Sequence, residues 1–397
     1  MPDERKSFMK INVGVFFGGA SVEHEVAVIS AVQAMNSMDT EKYNIVPVYI
    51  TKQGEMYHSD LMIEINEFKD IPALLKKSKK VTLIKENDKF MLIELKGGLF
   101  KKPVCSLDIA FPIVHGTNCE DGSLVGWFEL LQMPYVGCDV LSAAVGMDKA
   151  FFKYVLNEKD IPVLPCVTFY AKEWVADKDA IIKNISEKFG FPVIVKPANL
   201  GSSVGISKAD DEDALRNSVD NAMNFAAKIL VEPAITSLRE LNCSVLGDVD
   251  DCEPSVIEEP VMSGEILSYD DKYKSGNSQG MKSLKRKIPA DISEKTKCEV
   301  EQCAVAAFKA LGCNGVVRID FLMDTANDNK VYINEINTIP GSLSFYLWEP
   351  KGVKYKELLT KMIELGFKRA RSKANLMFSY DTNILSSGGA FGSKGKK

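Results

Sequence analysis

The chain reads as an α/β protein of several domains, and three observations carry that reading. Its 397 residues exceed one ordinary domain and suffice for two or three. Apolar residues at 46% and charged residues at 26% are the proportions of a soluble globular fold. Short β-branched runs alternate with segments of helical period, as in sheets covered by helices.

Composition also excludes several classes. Net charge is −5, from 49 basic and 54 acidic residues, with no basic stripe to hold nucleic acid. No apolar run approaches the ~18 residues of a membrane span. The start, Met1-Pro-Asp-Glu-Arg-Lys, lacks the apolar core of a signal peptide, so a cytoplasmic location is expected. The nine cysteines form no Cys-x-x-Cys pair and read as small buried hydrophobes. Three histidines argue against a histidine-based zinc site.

The first unit opens with strand Lys10–Phe17, which runs into Gly18-Gly19-Ala20-Ser21. A helix is predicted to follow, with Ser21 as N-cap, Glu23-His24 in its first turn, and Val22, Val26 and Ile29 at helical spacing. The glycines do not spell G-x-G-x-x-G; they point to close backbone approach to a ligand. Strand Tyr43–Thr51, a short helix Ile71–Lys77, a hairpin region Val81–Leu95 and strand Leu107–Val114 complete this sheet. The last strand delivers His115-Gly-Thr-Asn-Cys-Glu-Asp-Gly122 beyond its end, where open α/β sheets bind ligands, and a helix Leu124–Met133 follows. His115 has two readings: a histidine satisfied by local backbone, or a ligand-site group beside Gly116, Glu120, Asp121 and Gly122.

A domain change is placed near Pro134–Lys149. Helix Lys149–Glu158, strand Val163–Phe169 and helix Asp177–Phe189 lead to Pro192-Val-Ile-Val-Lys-Pro197 and the small-residue loop Ala198-Asn-Leu-Gly-Ser-Ser-Val-Gly205. Such a loop offers backbone N–H groups to phosphate, and Lys196, ending an apolar strand, adds a point charge. It is not a Walker A loop. Helix Asp210–Ala226, strand Lys228–Glu232, an extended Pro233-Ala-Ile235 and a strand from Glu240 to Leu246 come next. Glu232 and Glu240 together are read as holding a ribose and an adenine edge. Residues 265–289, polar and glycine-bearing with a basic run from Lys282 to Lys287, read as a lid or disordered loop. Helix Ser293–Leu311 carries Val300, Cys303, Ala304, Ala307, Phe308 and Leu311 on one face and stops at Gly312. Tyr355–Arg371 is a final helix, and the Gly- and Lys-rich tail from Ser386 has too little apolar content to fold.

Chemistry concentrates in two β-branched stretches, Val316–Phe321 and Val331–Gly341. Strand alternation puts Arg318 and Asp320 on one face of the first, and Glu335 and Asn337 on one face of the second. If those faces coincide, three oxygen ligands stand beside one guanidinium. That is a hard-cation set: Mg²⁺ takes one or two carboxylates and completes its octahedron with water and nucleotide phosphates. The alternative is a hairpin with a polar outer face; the Pro-Gly turn closing the second strand favours the metal.

The ordered motifs resemble a known family. They are Gly-Gly-x-Ser-x-Glu-His (18–24), His-Gly-x-x-x-Glu-Asp-Gly (115–122), Pro-Tyr-Val-Gly-Cys (134–138), Met-Asp-Lys (147–149), Val-Lys-Pro-x-x-x-Gly-Ser-Ser-Val-Gly (195–205), Lys-Tyr (272–273), Arg-Ile-Asp-Phe (318–321) and Glu-Ile-Asn-Thr-x-Pro-Gly (335–341). Over roughly residues 10–370 the chain resembles the D-alanine–D-alanine ligases of the ATP-grasp superfamily. The resemblance implies three α/β domains: a Rossmann-like substrate domain (1–137), a central ATP-grasp subdomain (138–247) and a C-terminal one (248–377) with mobile loop 265–289, then a flexible tail (378–397).

It further implies ATP-dependent joining of two D-alanines through a D-alanyl phosphate, for peptidoglycan synthesis, in a cytoplasmic homodimer. Lys149, Lys196, Ser203 and Lys272 would contact ATP phosphates. Glu232, Pro233, Ala234, Ile235 and Glu240 would take adenine and ribose. Asp320, Glu335 and Asn337 would bind two Mg²⁺, with Mn²⁺ as a substitute. Glu23 would receive the first D-alanine's ammonium, linked through Ser202 to Tyr273, with His115 near its carboxylate. Arg318 and the Gly341 N–H would form the oxyanion site, and Tyr346 with Leu347 would meet the second substrate. Three departures stand out: one extra residue between Glu232 and Glu240, a loop reading Tyr-Asp-Asp-Lys-Tyr, and Tyr346 where the family has serine. They leave D-serine, glycine or D-lactate as alternative second substrates. From another class, a catalytically silent nucleotide-binding regulator is the competing reading.

Overall fold

In a computed structural model, the structure describes residues 10–95, 102–201, 204–260 and 286–378. The loop and tail expectations fall largely outside those residues. Three sheets organise the described chain.

The first contains β1 (Ile11–Gly18), β2 (Tyr43–Ile50), β3 (Met56–His58), β4 (Lys79–Glu86), β5 (Lys89–Glu94), β6 (Lys102–Leu107) and β7 (Ile109–Val114), in the order β6-β5-β4-β3-β2-β1-β7. β2, β1 and β7 run parallel and the rest antiparallel. α1 (His24–Ser37), α2 (Ile71–Lys76) and α3 (Ser123–Leu131) belong to this unit. α1 departs from expectation. Its N-cap is Glu23, while the Ser21 hydroxyl accepts the Glu23 N–H. Val22 is 46% exposed and Ile29 37%; the buried stripe is Val26, Ala27, Val28, Ala31, Val32, Ala34 and Met35. The later start follows from two positive-φ glycines, Gly18 and Gly19, which turn the chain before it can coil.

α4 (Val140–Met147) and α5 (Lys149–Glu158) lead into the second sheet, ordered β10-β9-β11-β8. It is built from β8 (Val167–Tyr170), β9 (Val193–Pro197), β10 (Ser207–Ala209) and β11 (Lys228–Pro233), with helices α6 (Ala171–Ala176), α7 (Lys178–Phe189) and α8 (Glu212–Ala222). Asp148, Asp177 and Asp211 cap α5, α7 and α8 through side-chain oxygens that accept backbone N–H groups.

The third sheet, ordered β14-β13-β12-β15-β16, comprises β12 (Leu238–Gly247), β13 (Cys252–Pro260), β14 (Arg286–Lys287), β15 (Gly315–Asp324) and β16 (Lys330–Asn337). β12 pairs along its length with β15 and so belongs to this sheet. α9 (Glu294–Ala310) covers one face, packing Val300, Ala304, Ala307 and Phe308 against Val317, Ile319 and Phe321. α10 (Tyr355–Ala374) lays Leu358, Leu359, Met362 and Ile363 in one core with Val13, Val15 and Phe17 of the first sheet and with Leu246 and Val316 of the third. That shared core holds the outer units together around the polar face described next.

Candidate active site

Alternation along β15 is as the sequence predicts: Val317, Ile319, Phe321 and Met323 are buried, while Arg318 and Asp320 share the opposite face. β16 adds a feature the alternation did not. Asp320 pairs with Glu335 but Phe321 pairs with Ile333, so Asn334 is an extra, bulged residue. Without the bulge, Asn334 would face the core and Ile333 the polar side. Burying a large aliphatic side chain is worth about 1.5–3 kcal/mol, and an unpaired core amide costs more, so the bulge keeps Ile333 at 1% exposure.

On the polar face Arg318 forks onto Asp320, Nε to Oδ1 at 2.6 Å and Nη2 to Oδ2 at 2.7 Å. Asn337 donates from Nδ2 to Asp320 Oδ2 at 3.1 Å. Glu335 Oε2 meets Lys149 Nζ at 3.1 Å, and that ammonium also donates to the Leu200 carbonyl at 2.9 Å. Lys196 donates to the bulged Asn334 at 2.9 Å. Thus Arg318, Asp320, Glu335, Asn337, Lys149 and Lys196 come together.

Two carboxylates and an amide oxygen are a donor set suited to Mg²⁺ that also takes phosphate oxygens and water. Among the described residues no group of three His, Cys, Asp or Glu side chains forms a cation cage. Three protein donors leave the other positions of such an ion to water or phosphate oxygens. The lysines give the adjoining space the charge to hold phosphate.

Glu232 lies between the two lysine-bearing elements. It is 1% exposed and sits between Lys153 Nζ (Oε2, 2.5 Å) and Lys196 Nζ (Oε1, 2.5 Å). Burial alone would raise its pKa; the two ammonium groups override that and hold it at about 2. Both of its carboxylate oxygens are engaged by lysines. Lys153 was not foreseen, though it lies one turn beyond Lys149 on α5. The Ala234 N–H donates to the Pro192 carbonyl at 3.0 Å, and Pro233 ends β11. Ile235 follows in the connection to β12. Glu240 stands on β12 on the same face as Asn242, in register with Leu322.

Glu23 lies where three segments meet. A methyl group built on Gly116 would come within 2.7 Å of Glu23 Oε2, and so would one on Gly201. Nearby Glu120 accepts N–H groups from Gly116 at 3.0 Å and Ile339 at 2.9 Å, and the Thr338 hydroxyl at 3.3 Å. Burial, then the charge of Glu23, lifts its pKa to about 7. The motif 115–122 contains Glu120, but sequence offered no sign of its reach to residue 339.

His115 is tied at both ring nitrogens: Nδ1 lies 2.8 Å from the Ile339 carbonyl and Nε2 3.0 Å from Ser30 Oγ. Burial takes its pKa down to about 4, so the ring is neutral near pH 7. Nδ1–H then donates to Ile339, Nε2 accepts from Ser30, and Ser30 Oγ accepts the Ser342 N–H at 2.9 Å. Both ring nitrogens are thus partnered within the protein, and a direct bond to a substrate carboxylate would have to displace one of these partners.

Gly341 begins a short strap, Gly341–Leu347, that closes over the sheet. Leu347 is fully buried, so its side chain faces core; Tyr346 donates to Glu258 Oε1 at 3.1 Å. Ser202, Ser203, Lys272 and Tyr273 lie outside the described residues.

A strand hairpin carrying two carboxylates and an amide, faced by Lys149 of α5 and Lys196 of the second sheet and joined at its end by Glu120 of the first unit, defines an ATP-grasp ligase architecture. Models of the D-ala D-ala ligase N-terminus and C-terminus match residues 12–138 and 155–364. The D-alanine–D-alanine ligase of Thermosipho melanesiensis is 40% identical over 377 residues, covering 94% of this chain and 98% of that protein. The solved D-alanine-D-alanine ligase from Coxiella burnetii superposes with a TM-score of 0.77 at 30% identity, covering 92% and 96%. The VanG D-Ala:D-Ser ligase from Enterococcus faecalis gives 0.75 at 29%, covering 90% and 100%. The chain belongs to the D-alanine–D-alanine ligase family.

Proposed function

We propose that this protein joins two D-alanines at the expense of ATP, through a D-alanyl phosphate, to supply a peptidoglycan precursor. The observation that carries the reading is the convergence of Arg318, Asp320, Glu335 and Asn337 with Lys149 and Lys196 beneath the Gly341 strap. A carboxylate is a poor electrophile; phosphorylation by ATP activates it, and the second amine displaces phosphate. Such phosphoryl transfer needs in-line placement and neutralised charge more than covalent help.

On this reading Lys149 and Lys196 hold phosphates, exchanging their bonds to Glu335 and Asn334 for bonds to nucleotide. Asp320, Glu335 and Asn337 would hold Mg²⁺, which when bound neutralises charge on the transferred group. Glu23 takes the first ammonium. Arg318 and the Gly341 N–H face the oxyanion, where losing one donor typically costs on the order of 10²–10³ in rate. The same reading covers ATP contacts by Glu232, Pro233, Ala234, Ile235 and Glu240, and a cytoplasmic homodimer. Its support is family membership.

The test is ADP and phosphate release. Release should require both D-alanine and Mg²⁺, stop with EDTA, and fall by at least 10²-fold in Arg318→Ala. Turnover with L-alanine but not D-alanine would reject the reading, and full ATP consumption by an Arg318→Ala, Glu335→Ala protein would favour the silent-regulator alternative. A second acceptor is kept open by one observation, Tyr346 in the strap; mass spectrometry of products from mixed D-alanine, D-serine, glycine and D-lactate separates them.

A further inference from the structure

Lys153 is a buried ammonium to which the chemistry proposed above gives no part. It lies one turn beyond Lys149 on α5, so the two side chains leave the helix on one face. Its side chain is 3% exposed, and Nζ donates to the Leu164 carbonyl at 3.1 Å and to Glu232 Oε2 at 2.5 Å. Lys196 of β9 reaches the other oxygen of the same carboxylate, with Nζ 2.5 Å from Oε1. Register accounts for that second contact. Lys196 pairs with Leu230, so Glu232, two residues further along β11, is its diagonal neighbour on the same face.

Two ammonium groups on one carboxylate leave a surplus positive charge, and the two ends of the triad differ in what they meet. Beyond Glu232, Lys153 bonds a backbone carbonyl in the connection from α5 to β8. Lys196 bonds Asn334 Oδ1 at 2.9 Å, beside Glu335 on β16. The surplus charge therefore reaches the site at Lys196. Without Lys153, Glu232 would face Lys196 alone, and a charge-assisted bond within a neutral pair would hold that ammonium away from an anion. A second role for Lys153 is architectural. α5 is clipped to β11 at its start, where Lys228 donates to Asp148 Oδ2 at 2.5 Å, and the Lys153 contact to Glu232 is another such clip.

Resting on the function proposed above, we propose that Lys153 is a positioning residue for phosphate binding: it takes up the charge of Glu232 and so leaves the Lys196 ammonium to the nucleotide's phosphates. Lys153 touches no substrate. It acts through Glu232, which sets how strongly Lys196 is held back.

The experiment measures binding of inorganic tripolyphosphate to the full-length protein in Mg²⁺ buffer by calorimetry, since that probe carries phosphates without ribose or adenine. Lys153→Met should weaken binding roughly 10-fold, the scale of one charge-assisted contact, and raise the KM for ATP alike while the KM for D-alanine stays put. Glu232→Gln releases Lys196 and should bind tripolyphosphate at least as tightly as the wild type. The opposite signs are the test, because an architectural clip loses by either substitution. Lys153→Gln, neutral but still able to donate to Leu164, serves if the methionine variant does not fold. Lys153→Met with Glu232→Gln, which restores the wild-type charge, serves if the single Glu232 variant does not, and should bind within about threefold of the wild type. Weakening by both single substitutions, or none by Lys153→Met, overturns the proposal. No D-alanine-dependent ADP release in the wild type would overturn the ligase reading instead, with the tripolyphosphate affinities still deciding the part played by Lys153.

Discussion

Glu232 is buried to 1% exposure between two ammonium groups, each at 2.5 Å. A carboxyl depressed from 4.5 to about 2 contributes about 3 kcal/mol, taking about 1.4 kcal/mol per pKa unit. Because the folded pKa is the lower one, that stability is present above pH 4.5 and is lost as pH falls toward 2. Glu232→Gln should therefore lower stability at pH 7 by about 3 kcal/mol and flatten the acid limb of denaturant unfolding below pH 4.5. Parallel pH curves for the two proteins would contradict this. Sequence located the acid but did not foresee its lysine partners. Glu232 on β11 lies 79 residues from Lys153 on α5, and no local pattern records such a contact. Asp320 and Glu335 were legible because strand alternation alone fixes their side of the sheet.

At the scale of elements, β15 could be read by counting and the strap after β16 could not. Ser342, Leu343 and Ser344 all adopt left-handed backbone, with φ near 51°, 51° and 50°. Each such non-glycine residue costs about 1–2 kcal/mol, and three in succession cannot be inferred from residues that ordinarily avoid that region. The turn is held from outside: Ser342 donates to Ser30 and to Gln33, and Leu343 is buried to 1%. Ser344 is fully buried, and among the described residues its hydroxyl has no partner. Ser344→Gly should relieve both the backbone cost and the unmet hydroxyl, against a smaller entropic loss. We expect a gain of about 1 kcal/mol in unfolding free energy. Leu343→Gly relieves the same backbone but removes a core side chain, so it should lose about 2–4 kcal/mol. Urea midpoints moving in opposite directions verify the pair; two decreases would mean the left-handed run carries no strain.

Across the whole molecule, the first and third sheets meet through α10 and through the segment that follows β16. Arg369 of α10 donates to the Tyr135 carbonyl at 2.7 Å, and α10 packs in the core shared by the first and third sheets. On the ligand side the junction is polar. Glu120, from the first unit, accepts the Ile339 N–H and the Thr338 hydroxyl just past β16, while His115 donates to the Ile339 carbonyl. The domain order was legible from motifs; this clasp was not, since it joins residues 219 positions apart. Burial and Glu23 raise the Glu120 carboxyl to about 7, above its ordinary 4.5. The folded state thus holds a proton that the unfolded chain releases earlier. Stability from this group is fully present below pH 4.5 and declines as pH rises through 7. A substrate ammonium beside Glu23 would supply the missing positive charge and expel that proton. Two measurements follow. Unfolding free energy of the ligand-free enzyme should carry a component that falls between pH 5 and 7 and is absent in Glu120→Gln, whose amide oxygen can still accept the strap. D-alanine binding at pH 6.5, followed calorimetrically in buffers of different ionisation enthalpy, should release a fraction of a proton in the wild type and none in the variant. Equal proton release from both would place the ionisation elsewhere and leave Glu120 a purely structural bridge between the units.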